Sequence, residues 1–547
     1  MAQKYSQEEL NSLSKKAMAS IILSMQDQLE QMNNNMESLI EQLRVANQNR
    51  FGRHTEKLSE IVGQLSLFNE AEFYADQSNG DSDEIDEEEE IFVRKPQKKK
   101  KQKGKREEDL SGFPQEPVSH PLTDEEADAH FGAGCWKRMK PDEYSKVRYV
   151  PASFIVERHT VDVIVGTSGM HQDEFLRGKR PKDLIKKSFV TPSLESAIIN
   201  AKYVNANPLY RIEAEFNRMG FNISRQDMSN WTVKCAEKYL KFMYDRLQVV
   251  LLTFPVNQCD ETPVDVIHQT DRETPGQCYM WVHCNGEFYS DRRIVLYEYQ
   301  PGRGHEYPKE FYRDYIGILM TDGLQQYHLV EDEVEGLINA NCWVHARRDF
   351  ADAVKAIGKS NPKAQQESIA YEALRRIAEF YTLEGELKDL SAEERLKRRQ
   401  RGIKRLIEDF FVWVKETVAE GNLIKGKTLS GLNYCINHEK QLKVFLTDGN
   451  VPLDNSLSER SIRPFTIGRK NWVIINTPRG AKASAIIYSI VETAKLNGLV
   501  PFHYFDHLLT EIPKLIDKNG NIDTAKLDQL LPWSETLPEI CRKPRRQ

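Results

Sequence analysis

A chain of 547 residues is long enough for several domains with cores of their own, and a net charge of only −6 from 29% charged residues means that bulk charge does not draw it to nucleic acid. Affinity for a polyanion must come from local basic clusters. No stretch nears the roughly 18 apolar residues of a membrane helix and no secretory leader opens the chain, so a soluble, cytoplasmic protein without membrane contact is expected.

Residues 1–75 begin with Met18, Ile22, Met25, Leu29, Met32, Met36, Leu39 and Leu43, spaced four, three, four, three. That spacing predicts a heptad seam over residues 1–48 and a homo-oligomer formed through a coiled coil, with packing on the chain's own core as the alternative. RFGRHTEKL follows at residues 50–58 as a small basic motif. Residues 76–106 run from an acidic block into a lysine block and read as a disordered charged linker. Residues 107–190 read as a small β-rich module, its apolar alternation strongest over 144–165. Cys135 stands there with only His120 and His130 nearby, which is no four-ligand zinc set. The eight cysteines lack a CxxC pair and argue against a disulfide framework.

Residues 191–250 read as helices, one starting at Asn207 and ending near Gly220, the next following Ser224. Two helices about a glycine turn resemble a helix-turn-helix with Arg225, Gln226 and Asn230 able to reach bases, although hairpins that only pack are commoner. In residues 251–345, strands are predicted at 256–268, 278–284, 294–299, 316–321 and 340–344. Asp260 lies in the first, and Asp322 ends the fourth ahead of Gly323. Carboxylates gathered in a cleft repel one another, which raises a pKa or recruits a divalent cation. The guanidinium forks of Arg347 and Arg348 suit phosphate oxygens.

Residues 346–446 are strongly helical, and Asp322 and Glu459 stand 137 positions apart, too far for a plain loop. Residues 447–484 contain VPLDNSLSERSIRPFTIGRKNW, where Ser456 and Glu459 form a capping-box pattern for a short helix that should stop before Pro464. Glu459 is the only acid among Arg460, Arg463, Arg469, Lys470, Arg479 and Lys482. Taken alone, it reads as a cap paired with Arg463. Residues 485–547 read as a helical region with a basic tail.

The order Asp260, Asp322, Glu459, with CWVHARRDF at 342–350 and DNSLSERSIRPFTIGRKNW at 454–472, resembles the DDE transposases of the insertion-sequence 66 family. RFGRHTEKL, NPLYRIEAEFNRMG at 207–220, ETAKLNGLVPFHYF at 492–505 and LLPW at 530–533 extend the likeness along nearly the whole chain. Members usually carry a cysteine-based zinc module where this chain keeps only Cys135, so residues 107–190 look like a diverged version without structural zinc. The resemblance implies a multidomain α+β protein: an N-terminal coiled coil, a small β-rich module, a ribonuclease H-like catalytic core interrupted by an α-helical insertion, and a C-terminal helical segment. Cys342 and His345 resemble the Cys-x-x-His motif of several DDE groups, read here as a buried thiol and a polar group near the active site.

It also implies a bacterial insertion-sequence transposase that binds the element's terminal inverted repeats and target DNA, then cleaves and transfers strands. Asp260, Asp322 and Glu459 would hold Mg²⁺ or Mn²⁺; Arg53, Arg347, Arg348, Arg460, Arg463, Arg469 and Lys470 would contact DNA. Accessory proteins of the same element are implied partners, and nucleoid association when DNA is bound. The alternatives are a transposon-derived DNA-binding protein that has lost catalysis and a ribonuclease H-like nuclease without strand transfer.

Overall fold

The computed structural model describes residues 153–165, 175–177, 182–270, 276–358, 362–420 and 424–544, with a few isolated positions before them. The heptad segment, the motif containing Arg53, the charged linker and the Cys135 region lie outside the described residues. Among those described, no helix is long and apolar enough to cross a membrane.

Of the stretch 144–165 expected to be β-rich, residues 144–152 lie outside the described residues. Strand β1 (Val163–Val165) pairs antiparallel with β2 (Phe175–Arg177), and residues 153–162 form no strand. These ten residues are exposed, and Phe154 alone among them is shown with its ring against others, 5.0 Å from Phe216 and 4.6 Å from Phe221.

Four helices follow: α1 (Pro192–Ile199), α2 (Leu209–Arg218), α3 (Arg225–Cys235) and α4 (Lys241–Leu251). Gly220 takes φ 83° between α2 and α3, and the Ser224 hydroxyl caps α3 by accepting from the Asp227 N–H at 3.1 Å. Arg225, Gln226 and Asn230 are exposed while Met228 and Trp231 are buried, an arrangement common to a helix-turn-helix and to a hairpin that only packs.

The centre is a five-stranded sheet of β3 (Val256–Val264), β4 (Cys278–Asn285), β5 (Val295–Gln300), β6 (Gly317–Thr321) and β7 (Leu337–Asn341), in the order β5-β4-β3-β6-β7. The three early strands pair antiparallel; β6 and β7 add on parallel. Parallel strands need crossovers, supplied by α5 (Glu306–Phe311) before β6 and α6 (Gln325–Glu333) before β7. The fifth strand lies upstream of the expected 340–344. It includes the buried polar residues Asn339 and Asn341, which mask its apolar run, and Val344 already belongs to a helix.

Period-two alternation assigns the sheet's two faces. Ile318 and Met320 join one core and Leu319 the other. The first is completed by α7 (Trp343–Ile357), α8 (Ile369–Gly385), α10 (Lys404–Ala419) and α11 (Gly426–Asn437), with the short α9 (Ala392–Arg398) between α8 and α10 in the chain, the helices expected between Asp322 and Glu459. Trp343 is fully buried there, with the rings of Phe380, Phe410 and Phe411 at 4.7, 5.7 and 5.9 Å. Arg399, also fully buried, binds Glu384 and donates to the carbonyls of Phe445 and Asp448 at 2.8 and 2.9 Å. Arg395 donates to the carbonyls of Leu390 and Gly449, both at 2.7 Å. The two arginines thus fix the chain that leads out of the helical layer.

The second core contains α1 to α4 with α12 (Ser456–Trp472), α13 (Pro478–Leu496) and α14 (Pro501–Leu515). Helix α12 does not stop before Pro464; it runs through it. A proline there cannot donate to the Arg460 carbonyl, but Leu457, Ile462, Phe465 and Gly468 are buried along the helix, and their packing outweighs the lost bond. The hydroxyls of Ser489 and Thr493 on α13 meet the edge strand β5, accepting from the Tyr297 and Val295 N–H groups at 2.7 and 3.1 Å.

Candidate active site

Asp260 lies in the central strand β3. Parallel β6 pairs with it in a register whose last pair is Gln258 with Met320, and Asp260 and Asp322 each follow that pair by two residues. The Asp260 Oδ1 accepts from the Glu261 N–H at 2.8 Å. Burial, and then the neighbouring carboxylates of Glu261, Asp322 and Glu459, push the Asp260 carboxyl well above the usual carboxylate range.

Asp322 follows the end of β6, and its Oδ1 accepts from the Leu324 N–H at 3.0 Å. Gly323 takes φ 84°, and a Cβ at that position would lie 2.3 Å from the Tyr434 hydroxyl oxygen. Tyr434, on α11, donates to the Asp322 carbonyl at 3.0 Å. The helical layer therefore holds the turn that presents Asp322.

Glu459 stands in the first turn of α12, where a negative charge suits the helix dipole. The capping box is not formed, because Ser456 is already helical and its N–H donates to Asp454 Oδ1 at 3.0 Å. Fully buried Asn455 stands at the cap instead. Its carbonyl accepts from the Glu459 N–H at 3.3 Å and the Ser458 hydroxyl at 2.9 Å, while its Nδ2 donates to the Cys259 carbonyl at 2.9 Å. Its own N–H donates to the Sγ of Cys342, the buried thiol at the end of β7. His345, one turn into α7, has Nε2 4.0 Å from Glu459 Oε1.

The three acids thus face one region from three elements, close enough for their charges to interact. Among the described residues no three His, Cys, Asp or Glu side chains converge into a ready metal cluster.

The cationic residues divide. Arg460, Arg463, Lys470 and Arg348 are exposed, Arg460 lying 3.6 Å from Glu287. Arg469 turns back onto β3, donating to the Thr262 hydroxyl at 3.2 Å and to the Pro263 carbonyl. Arg347 is only 4% exposed, so the expectation of an open DNA contact does not hold for it; the inward face of α7, between Ala346 and Phe350, takes it inside. Arg53 lies outside the described residues.

Profiles of known families match along the chain: the Transposase IS66 family over residues 187–483, the IS66 C-terminal element over 489–533, and the Transposase C of IS166 homeodomain over 38–118. The first covers more than half of the chain. The chain belongs to the IS66 transposase family. Relatives in Sinorhizobium fredii carry the names uncharacterized protein y4qI, 26% identical over 72% of this chain and 71% of its own, and uncharacterized protein y4hP, 27% identical over 63% and 62%.

Three residues that bear on the site of this IS66-family chain were not singled out from the sequence. Asn455 and Tyr434 act through backbone carbonyls, which no motif spacing reveals. Glu261, one residue from Asp260, points to the other side of β3, where Arg303 binds it at 2.6 Å and the Tyr327 hydroxyl donates to it at 2.5 Å. Its adjacency to Asp260 was the only available hint.

Proposed function

We propose that this chain is the DDE transposase of a bacterial insertion sequence, cleaving element ends and transferring their strands to target DNA in a metal-dependent reaction. The observation that carries the reading is that Asp260 and Asp322 each stand two residues beyond the last β3–β6 pair, near enough for their charges to interact, with Glu459 tethered beside them through Asn455. The sheet order, antiparallel on one side of β3 and parallel on the other, supports a ribonuclease H-like core.

The donor set suits Mg²⁺ or Mn²⁺. Burial and the neighbouring carboxylates raise the proton affinity of Asp260, a charge excess that a divalent cation offsets, and Mg²⁺ retains waters while taking one or two carboxylates, which separated acids allow. Asp260, Asp322 and Glu459 would hold it; bound there, it supplies charge neutralisation for in-line displacement at phosphorus. His345 orients the Glu459 carboxylate. Arg460, Arg463 and Lys470, exposed along α12, hold backbone phosphates, with Arg348 beside them, while Arg469 positions α12 against β3. Water attacks in the cleavage step, and the freed 3′-hydroxyl attacks target DNA in the transfer step.

Self-association through residues 1–48, accessory proteins of the same element and residence on the nucleoid belong to the same proposal. Asp260→Asn, Asp322→Asn and Glu459→Gln proteins are expected to bind element-end DNA without nicking it in Mg²⁺; a variant cutting at the wild-type rate removes that acid from the site. The second reading is a DNA-binding protein with lapsed catalysis, which end binding without any wild-type nicking would establish. Nicking without joining would instead mark a nuclease.

A further inference from the structure

Helix α12 ends in a feature that the catalytic reading leaves unused. Its exposed positions Arg460, Arg463, Ile467, Lys470 and Asn471 are spaced three, four, three and one, a single stripe of an α-helix. The stripe begins one residue after Glu459, and no acid occurs in the sequence from Arg460 to Lys482.

Beyond it the chain reverses at Val473, φ 62° and ψ −57°, where the Ile474 N–H donates to the Trp472 carbonyl at 2.7 Å. These angles and this bond define the classic γ-turn, rare and strained, and most so for a β-branched residue. Both sides of the turn are pinned. The Val473 N–H donates to the Arg469 carbonyl at 2.6 Å, and beyond the turn the Ile475 N–H donates to the Asp265 carbonyl at 2.9 Å. Ile267 returns a bond from its N–H to the Ile475 carbonyl at 3.0 Å, extending β3. The pinned turn pushes its side chains outward: Val473 is 60% exposed and Ile474 48%. Glycine would make this turn without strain, so a valine and an isoleucine in the open at the end of a cationic stripe call for a partner.

We infer that Val473 and Ile474 form an apolar wedge that enters between stacked base pairs of a DNA duplex lying along α12. The inference rests on the DNA-binding reading above. Lys470 and Arg463 neutralise phosphates, and the two apolar side chains replace a stacking contact, the division of labour by which apolar wedges open base steps. Charge complementarity selects DNA over a second copy of the chain, since exposed Arg463 and Lys470 lead along α12 to the tip, with exposed Asp265 meeting the turn only through its carbonyl. Val473 lies fourteen positions after Glu459, a helical rise of about 21 Å or roughly six base-pair steps. The opened step therefore lies about that far from the scissile phosphate.

The test uses the full chain in EDTA with duplexes of element-end sequence carrying 2-aminopurine at successive positions, and an end-label anisotropy titration in parallel. Wild type is expected to raise fluorescence severalfold at one or two neighbouring positions. The Val473→Gly/Ile474→Ser double variant, in which glycine relieves the turn, should lose that rise while its affinity stays within about threefold, because phosphate contacts dominate binding. Ile474→Leu should keep the rise. Wild-type binding without a rise, or a rise that survives in the double variant, overturns the wedge. A smaller assembly mass for the double variant with its fluorescence response intact also overturns it, marking the tip as a contact between copies. No DNA binding by wild type would overturn the DNA reading itself, and the wedge with it.

Discussion

The Asn455 side chain donates to the Cys259 carbonyl at 2.9 Å, so the residue that caps the Glu459 helix is bonded to the residue before Asp260. Two acids far apart in sequence are thereby held through one buried amide. Asn455→Ala leaves that carbonyl without its donor in a dry site, a cost of about 1–3 kcal/mol. The expected result is a lower denaturation midpoint and a larger loss of metal-dependent nicking, measured where both proteins remain folded. Nicking at the wild-type rate in a destabilised variant would show that the bond serves stability alone.

The Arg399 and Glu384 pair is a second buried device, bridging α8 to the chain that leads toward α12. Removing only the arginine strands a carboxylate and two carbonyls, so Arg399→Ala is expected to cost about 3–5 kcal/mol. Arg399→Met/Glu384→Leu should recover much of this, since the unpaired charge goes with its partner. Equal urea midpoints for the single and double variants would refute the pairing as the source of the loss.

Glu195 gives a pH dependence. Burial raises its carboxyl from 4.5 to about 8, against opposing effects of Thr232 and Lys202. The Thr232 hydroxyl already donates to the Met228 carbonyl at 2.8 Å, so a protonated Glu195 suits this pocket. The folded state keeps a proton that the unfolded chain releases above about pH 4.5, so this group's contribution falls as pH rises towards 8 and is level beyond, by at most roughly 1.4 kcal/mol per pH unit. Glu195→Gln should be more stable than wild type near pH 8, with the advantage shrinking toward pH 5, in denaturation curves at each pH. A constant difference across that range would contradict the assignment.

Much of the sheet was legible because its strands are apolar runs: those at 278–284, 294–299 and 316–321 lie within a residue or so of the observed elements. The fifth was displaced because Asn339 and Asn341 are buried polar residues. The passage of α12 through Pro464 was not legible, since local proline chemistry predicts a stop and only tertiary burial of Phe465 and Gly468 overrides it. The three acids stood out through resemblance and charge context. Arg347 was misread for a related reason: charge suggests exposure, and its depth depends on which face of α7 meets the core.

The hydroxyls that cover strand β5 come late. Thr493 is synthesised 198 residues after Val295, roughly 10–40 s later at bacterial elongation rates. During that interval the nascent sheet carries an edge with unanswered N–H groups, a template for pairing with a neighbouring chain. A frameshifted copy ending before α13 would keep that edge permanently. Such fragments are expected to leave the ribosome as aggregation-prone products, not as stable competitors for DNA.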